Sequence, residues 1–163
     1  GKLRHSRVPF YRRNIGVVFQ DFRLLPKMTV FENIAFALEV LALDKVTIRR
    51  RVREILELVS LQDKAKSFPD QLSGGQQQRA TIARAIANHP KVLIADEPTG
   101  NLDPEKSIEI IELLDKINKV EGTTIVMVTH DSTLVNAYKK RTIALEDGFI
   151  VADIAKGGYI HHD

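Results

Sequence analysis

The sequence contains no cysteine and no tryptophan among its 163 residues. The absence of cysteine excludes a disulfide framework, a thiolate zinc site and thiol catalysis, and it fits a reducing compartment. No apolar run reaches the roughly 18–20 residues that a membrane-spanning helix needs, because the longest candidate, Ile34 to Leu43, is interrupted by Glu39. The net charge of +3 is too small to indicate a nucleic-acid partner. We therefore expect one globular domain with a packed core and no nucleic-acid partner.

Three short apolar runs share one pattern, since each is followed directly by polar residues. The runs cover residues 15–19, 92–95 and 124–129. Short β-branched runs without alternation are typical of strands buried on both faces, as in a parallel sheet. The polar residues that follow them are Gln20, Asp96 and His130. Because ligands of open α/β sheets bind outside the carboxyl ends of the strands, the sequence predicts an α/β fold with these three residues at one site.

The remaining segments are predicted to be mostly helical. Thr47 has the residue type of an N-cap, and the apolar residues after it follow helical spacing: Ile48, Val52, Ile55, Leu56 and Val59. A further helix is predicted after Asp103-Pro104, and its inward residues are Ile108, Ile111, Leu114 and Ile117. Asp147-Gly148 between two apolar runs predicts a β-hairpin. We expect a helical subdomain, from about residue 30 to 88, inserted in the α/β core.

The stretch Leu72–Gln76 reads LSGGQ and opens a predicted helix. Ser73 and Gln76 have the spacing of a capping box, in which each side chain bonds the other residue's backbone. This does not explain Gly74 and Gly75, because a glycine costs a helix interior about 0.8–1 kcal/mol relative to alanine. Bare backbone at a helix N-terminus can instead bind a phosphate. The two interpretations stay open on these residues alone.

The stretch VLIADEP ends an apolar strand with two adjacent carboxylates. Asp96 could hold Mg²⁺ directly or through water, and Glu97 could orient or deprotonate an attacking water. The alternative is that one of the pair only caps the next element. Gln20 could reach the metal or the water, or be an ordinary edge residue, and His130 could contact a γ-phosphate, or be structural. Asp103 has the position of a helix N-cap.

Taken in order, FQD, LSGGQQQR, VLIADEPTGNLD and VTHD are similar to the motifs of the ATP-binding subunits of ABC transporters. The resemblance spans residues 16–148. It implies a P-loop NTPase-like core with an inserted helical subdomain, ATP and Mg²⁺ as cofactors, and a homodimer in which the signature of one subunit closes over ATP held by the other. The implied residues are Gln20 (Q-loop, nucleotide and metal), Ser73, Gly74, Gly75 and Gln76 (signature, nucleotide), Asp96 (Walker B, metal), Glu97 (catalytic), Asp103 (D-loop, nucleotide) and His130 (switch, catalytic).

The phosphate loop of that family, G-x-x-x-x-G-K-[ST], does not occur in this sequence. The single Gly-Lys pair, Gly1-Lys2, lacks both the first glycine and the hydroxyl residue. Because the family's loop precedes the Q-loop, we expect residues 1–163 to be one ABC ATP-binding domain that is truncated on its amino side. The complete protein is then expected to be an ATPase, and this chain to be inactive by itself.

Residues 8–40 resemble the cell-division ATPases of bacteria within that family. This resemblance implies an integral membrane partner, a cytoplasmic position on the inner face of the cell membrane, and control of peptidoglycan hydrolysis. Phe22, Leu24 and Leu25 could dock the partner, or pack within the helical subdomain.

Several alternatives stay open at this point. DEPTGNLD is shared with the ATPases of lipoprotein release and macrolide export. Another class is a non-catalytic module that contributes only the signature face. A third class, the ABC ATPases of chromosomes and DNA repair, is disfavoured, because only residues 21–71 separate Gln20 from the signature, where those proteins insert long coiled coils.

Overall fold

The computed structural model describes residues 8–156, so the Gly1-Lys2 pair lies outside the described residues. Its helices are α1 (Val8–Arg13), α2 (Val30–Glu39), α3 (Lys45–Leu58), α4 (Gly74–Ile86), α5 (Pro104–Glu121) and α6 (Ser132–Tyr138), with 3₁₀ turns at Gln62–Lys64 and Pro69–Gln71. Its strands are β1 (Ile15–Val18), β2 (Val92–Asp96), β3 (Thr124–Val128), β4 (Thr142–Glu146) and β5 (Phe149–Ile154). The chain forms two compact units, one up to Val128 and one from Thr129, and each is described by itself.

The first unit is built on a parallel sheet in which β2 lies between β1 and β3. The register pairs Val18 with Ala95 and Asp96 with Val128, so the carboxyl ends of the three strands meet at one edge. The predicted α/β fold with a parallel sheet is therefore confirmed. Gly16 allows α4 to pack closely on β1, because a Cβ atom there would lie 2.5 Å from the carbonyl oxygen of Ala85.

The two faces of this sheet differ. Val18, Leu93 and Ala95 are completely buried on the face that α4 covers. The opposite face exposes apolar side chains, namely those of Ile15, Val17, Val126 and Val128. The expectation of strands buried on both faces is thus wrong for the described residues. Strand side chains alternate between faces, and in β1 and β2 only the side chains on the face of Val18, Leu93 and Ala95 are buried.

The chain between β1 and β2 contains only helices, 3₁₀ turns and connecting loops. The predicted apolar stripe of α3 is buried, but its N-cap is Asp44 rather than Thr47. The Asp44 carboxylate accepts bonds from the backbone N–H groups of Val46 and Thr47 at 2.9 and 3.0 Å. The Thr47 hydroxyl donates to it at 2.6 Å, and these bonds, that of the hydroxyl first, lower the pKa of Asp44. Asp44 is the stronger N-cap because its carboxylate accepts three hydrogen bonds, whereas a threonine hydroxyl in the cap position would accept one.

Helix α5 begins as predicted, with Asp103 as N-cap and Pro104 at the first position. It ends at Gly122, whose φ of 69° is the left-handed conformation that glycine adopts without strain. Ile111, Leu114 and Ile117 are buried as predicted. Ile108 is 47% exposed, so its predicted burial is wrong. The buried face of α5 is centred on residues 110, 114 and 117, and position 108 falls on the opposite side of the helix.

The second unit contains α6 and the β4–β5 hairpin. Asp131 caps α6 by accepting bonds from the backbone N–H groups of Thr133 and Leu134 at 2.9 and 3.2 Å. The hairpin is the predicted one, and its two turn residues, Asp147 and Gly148, have φ values of 49° and 82°. Two positive φ values are what a two-residue type I′ turn requires, which explains the Asp-Gly sequence.

A buried ion pair joins α3 to the last turn of α5. The Arg51 guanidinium donates to both carboxylate oxygens of Glu121, at 3.1 and 2.9 Å, and to the carbonyl oxygens of Ile86 and Ala87. The side chains of Arg51 and Glu121 are only 10% and 9% exposed. His89 Nδ1 lies 2.7 Å from the same carboxylate. Burial acts to raise the pKa of Glu121, but the hydrogen bonds and charges of Arg51 and His89 together outweigh it and keep the pKa below its ordinary value.

Replacing this carboxylate should destabilise the fold. Glu121→Ala leaves the buried Arg51 without its charged partner, and breaking a buried pair from one side costs about 3–5 kcal/mol. Because the pKa of Glu121 is lowered in the folded state, its contribution is complete above the unfolded-state pKa of about 4.3 and is lost as the pH falls through the folded-state pKa. Urea unfolding at pH 7 and at low pH measures both effects.

The matched control for this change is Arg50→Ala, on the exposed side of α3 next to Arg51. It removes an ion pair with Glu54 whose N–O distance is 4.0 Å, and such exposed pairs contribute little. Similar losses of unfolding free energy in the two variants would contradict the assigned importance of the Arg51–Glu121 pair.

Candidate active site

Gln20 and the Asp96-Glu97 pair lie at the carboxyl edge of the parallel sheet. Gln20 follows the end of β1 by two residues, Asp96 ends β2, and both side chains are exposed. Glu97 is half-buried. The parallel register thus brings an amide and two carboxylates to one edge, where a ligand has access to them.

The backbone of Glu97 is strained and is held on both sides. Its φ of 46° is left-handed, which costs a residue other than glycine about 1–3 kcal/mol. Its N–H donates to the carbonyl oxygen of Val128 at 2.9 Å, and its own carbonyl oxygen accepts from the N–H of Gly100 at 3.1 Å. Such conformations persist where surrounding contacts impose them, and they cluster at functional sites.

Gln20 is bound to the loop that follows Glu97. Its Nε2 donates to Asn101 Oδ1 at 3.3 Å, and Asn101 Nδ2 donates to the carbonyl oxygen of Gln20 at 2.9 Å. Gly100 permits this approach, because a Cβ atom there would lie 2.7 Å from Gln20 Nε2. The nitrogen of the Gln20 amide is thus engaged within the chain, and its oxygen is the atom that could bind a ligand.

Ser73 and Gln76 form the capping box at the start of α4. Gln76 N–H donates to Ser73 Oγ at 3.3 Å, and Ser73 N–H donates to Gln76 Oε1 at 3.0 Å. The structural interpretation of these two residues is therefore realised in the fold. Their nucleotide-binding role stays a prediction, and it concerns backbone and side-chain groups at the same helix N-terminus.

Gly74 and Gly75 are not required by the packing of their own chain. A Cβ atom at Gly74 would lie 3.4 Å from Leu102 Cδ2, and one at Gly75 would lie 3.4 Å from Lys106 Cδ. Both are ordinary contact distances to flexible side chains. The fold of residues 8–156 therefore does not itself require glycine at these two positions.

The remaining predicted residues have structural partners or lie in the second unit. The Asp103 carboxylate accepts from the N–H of Lys106 at 3.0 Å, so its N-cap role is realised and its nucleotide role stays a prediction. His130 belongs to the second unit, where its exposed side chain precedes the N-cap Asp131. Its catalytic role likewise stays a prediction.

Two residues of this region are not singled out by the sequence pattern. Asn101 holds Gln20, although an Asn after Gly reads only as a turn signal. Gln78 is completely buried in α4, and its amide contacts the carbonyl oxygen of Pro98. The available signal for Gln78 was a polar residue at a buried helical position, four residues before the buried Ile82.

The donor set at the sheet edge fits Mg²⁺ if a nucleotide completes it. Among residues 8–156, no group of three or more His, Cys, Asp or Glu side chains could hold a metal ion. Mg²⁺ usually takes one or two protein oxygens and completes its octahedron with phosphate oxygens and water. The exposed Asp96 carboxylate and the Gln20 amide oxygen are suitable oxygens for this arrangement.

The model of the ABC transporter family matches residues 2–100. This chain belongs to the ABC transporter family. Among curated relatives, the cell division ATP-binding protein FtsE of Bacillus subtilis is 58% identical over 161 residues, which are 99% of this chain and 70% of the relative. FtsE of Mycobacterium tuberculosis is 53% identical over 97% of this chain and 68% of the relative. FtsE of Escherichia coli is 49% identical over 91% of this chain and 67% of the relative.

Solved structures of the same family share the fold. The dimeric post-hydrolysis state of the ATP-binding cassette MJ0796, bound to ADP and Pi, has a TM-score of 0.80 at 39% identity and covers 97% of this chain and 70% of its own. CbiO1 from Clostridium perfringens, part of the ABC transporter complex cbiONQ, has a TM-score of 0.87 at 32% identity, covering 93% of this chain and 61% of its own. The predicted family and fold are confirmed.

Alanine at Gly75 should separate folding from function. The fold has room for the methyl group, and alanine has the higher helix propensity, so we expect Gly75→Ala to keep or raise the unfolding free energy. If bare backbone is needed for a phosphate, the added methyl group should keep the phosphate from reaching the backbone N–H groups. ATP hydrolysis by the full-length protein should then fall by about 100-fold or more, the size of effect known for loss of one oxyanion contact.

Gly122→Ala provides the opposite pattern as a control. Its left-handed φ strains any other residue by about 1–2 kcal/mol, and it lies outside the candidate site. This variant should lose stability and keep its ATPase rate at temperatures where it is folded. Normal hydrolysis by Gly75→Ala would contradict the proposed use of the signature glycine.

Proposed function

We propose that this chain is the ATP-binding and ATP-hydrolysing subunit of an FtsE-type cell-division complex. The observation that carries this proposal is the identity of 49–58% with proteins named FtsE over 91–99% of the chain. The intact Asp96-Glu97 pair and LSGGQ signature agree with an active member of the family rather than a non-catalytic module. The ABC systems of lipoprotein release and macrolide export are the competing assignments.

In this proposal each site residue has a defined task. Asp96 and the Gln20 amide oxygen hold Mg²⁺, which neutralises phosphate charge when it is bound. The Glu97 carboxylate orients or deprotonates the attacking water. The strained backbone of Glu97 sets the direction in which its side chain leaves the sheet edge. His130 contacts the γ-phosphate, and Asp103 lies at the subunit interface.

The active form proposed here is a homodimer that sandwiches ATP. Its support is that the fold of residues 8–156 does not itself require glycine at positions 74 and 75, where an added Cβ atom would meet its neighbours at 3.4 Å. A helix N-terminus with free N–H groups suits the approach of a phosphate held by a second copy. The dimeric cassette of similar structure adds support for this arrangement.

The proposed partner is an integral membrane protein of the FtsX type, which places this chain at the inner face of the cell membrane. No helix within residues 8–156 has the length and apolarity to cross a bilayer. The proposed contact is the segment 22–25 after Gln20, where Phe22, Leu24 and Leu25 are half-buried. Phe22 and Arg23 have φ values of 57° and 51°, a strained pair held by a bond from Thr81 Oγ1 to the Phe22 carbonyl oxygen at 2.9 Å.

The proposed catalytic role is tested with Glu97→Gln in the full-length protein. The substitution keeps side-chain size but removes the base, and general-base catalysis contributes about 10²–10⁴-fold. We expect hydrolysis to fall by that factor while MgATP binding, measured by titration calorimetry, stays within a few-fold of native. Glu105→Gln, an exposed change in the first turn of α5, is the control. Unchanged hydrolysis in Glu97→Gln would refute the assigned base.

The proposed membrane contact is tested with Leu24→Ser. The change weakens an apolar contact of the 22–25 segment, so co-purification with the co-expressed FtsX-type partner should drop. Val46→Ser, on a side chain of α3 that is 77% exposed, is the matched control and should bind normally. Equal binding by both variants would move the contact elsewhere, and absence of binding by the native protein would favour one of the competing ABC systems.

A further inference from the structure

Gln78 is a polar residue in the fully buried interior of α4. Its side chain is 0% exposed. Its Nε2 donates to the carbonyl oxygen of Pro98 at 2.6 Å. Its Oε1 is buried and has no hydrogen-bond partner among residues 8–156. One half of the amide is therefore used and the other half is stranded.

The chemistry of the contact fixes which half faces Pro98. A carbonyl oxygen can only accept a hydrogen bond, so the amide nitrogen has to point towards it. The acceptor end must then face the interior, where an unpaired oxygen costs free energy. A methionine or leucine would fill this space without that cost. The amide of Gln78 therefore lowers the free energy of unfolding relative to an apolar residue. The one hydrogen bond that it makes is with the carbonyl oxygen of Pro98.

Pro98 directly follows Glu97, and its carbonyl belongs to the next peptide of the loop. Proline has no N–H group, so this part of the loop has one backbone donor fewer to hold itself in place. The backbone of Glu97 is held by hydrogen bonds to Val128 and Gly100. Gln78 of α4 adds a third hydrogen bond, to the carbonyl oxygen of the next residue, Pro98. Together these contacts leave the Glu97 backbone little freedom, although its φ of 46° is unfavourable.

We propose that Gln78 is a positioning residue that couples the signature to the catalytic glutamate of the same chain. One residue, Gln77, separates Gln76, at the end of the signature, from Gln78 on the same rigid helix. A displacement of the helix N-terminus therefore moves the amide that holds Pro98, and with it the backbone of Glu97. In the ATP sandwich proposed above, on which this inference rests, the signature and Glu97 serve different nucleotides. Gln78 then links the two ATP sites of the dimer.

The test is Gln78→Met in the full-length protein, because methionine has a similar length and no donor. We expect kcat for ATP hydrolysis to fall by about tenfold to a hundredfold, the range that misplacement of a catalytic group produces. The KM for MgATP should stay within about twofold, since no ligand-contacting group is removed. The thermal midpoint should stay the same or rise, because the stranded oxygen is gone.

Thr123→Val is the matched control. Thr123 is also buried, and its Oγ1 donates to another proline carbonyl, that of Pro90, at 2.9 Å. This bond lies at the amino ends of β2 and β3, away from Glu97. We expect this variant to lose stability while its kcat stays native, which is the reverse of the pattern for Gln78→Met.

Amide hydrogen exchange of the segment 97–103 gives a readout that does not depend on ATPase activity. In Gln78→Met the exchange of this segment should become faster, while the exchange of α5 stays native. Native exchange in the segment, or a native kcat, would overturn the positioning role. Faster exchange in a protein whose native form hydrolyses no ATP would support the contact to Pro98 and refute the proposed ATPase, so the two failures are distinguishable.

Discussion

The candidate site depends on one backbone hydrogen bond, from the N–H of Glu97 to the carbonyl oxygen of Val128. It extends the pairing of β2 with β3 one residue beyond the end of β2. The strained turn at Glu97 is thereby tied to the rigid centre of the sheet. The loop after it reaches Asn101, where Gln20 is bound in turn. Asp96, Glu97 and Gln20 are consequently held by one connected set of hydrogen bonds at the sheet edge.

Helix α4 connects the segment after Gln20, the loop after Glu97 and helix α5. Thr81 bonds the carbonyl oxygen of Phe22 in the segment after Gln20, and Arg79 bonds Glu109 on α5 at 2.8 Å. The amino end of the helix carries the capped signature. One rigid element thus contacts the Q-loop segment, the loop after Glu97 and the helix after Asp103. Each of these three segments is held to α4 by one side-chain hydrogen bond.

The parts of the fold with local causes could be predicted from the sequence. Uninterrupted β-branched runs gave the parallel strands, Asp103-Pro104 gave a helix start, and Asp147-Gly148 gave the hairpin turn. The sequence does not decide between two neighbouring N-cap candidates. Asp44 and Thr47 both have a suitable residue type, and the structure shows that Asp44 is the cap. The pairing of Gln20 with Asn101 spans 81 positions and has no local signature, so it required the fold. The exposed sheet face was missed because residue type does not reveal which faces are covered.

The strained backbone at the site has a consequence for how the protein tolerates change. Phe22, Arg23 and Glu97 each have left-handed φ values, at a cost of about 1–3 kcal/mol apiece. Native domains have only about 5–15 kcal/mol of net stability to draw on. A sequence that maintains these three conformations has a smaller margin for random substitution elsewhere. Destabilising substitutions in the core, for example in α3 and α5, are therefore tolerated less well, because the strained conformations at the sheet edge already use part of the net stability.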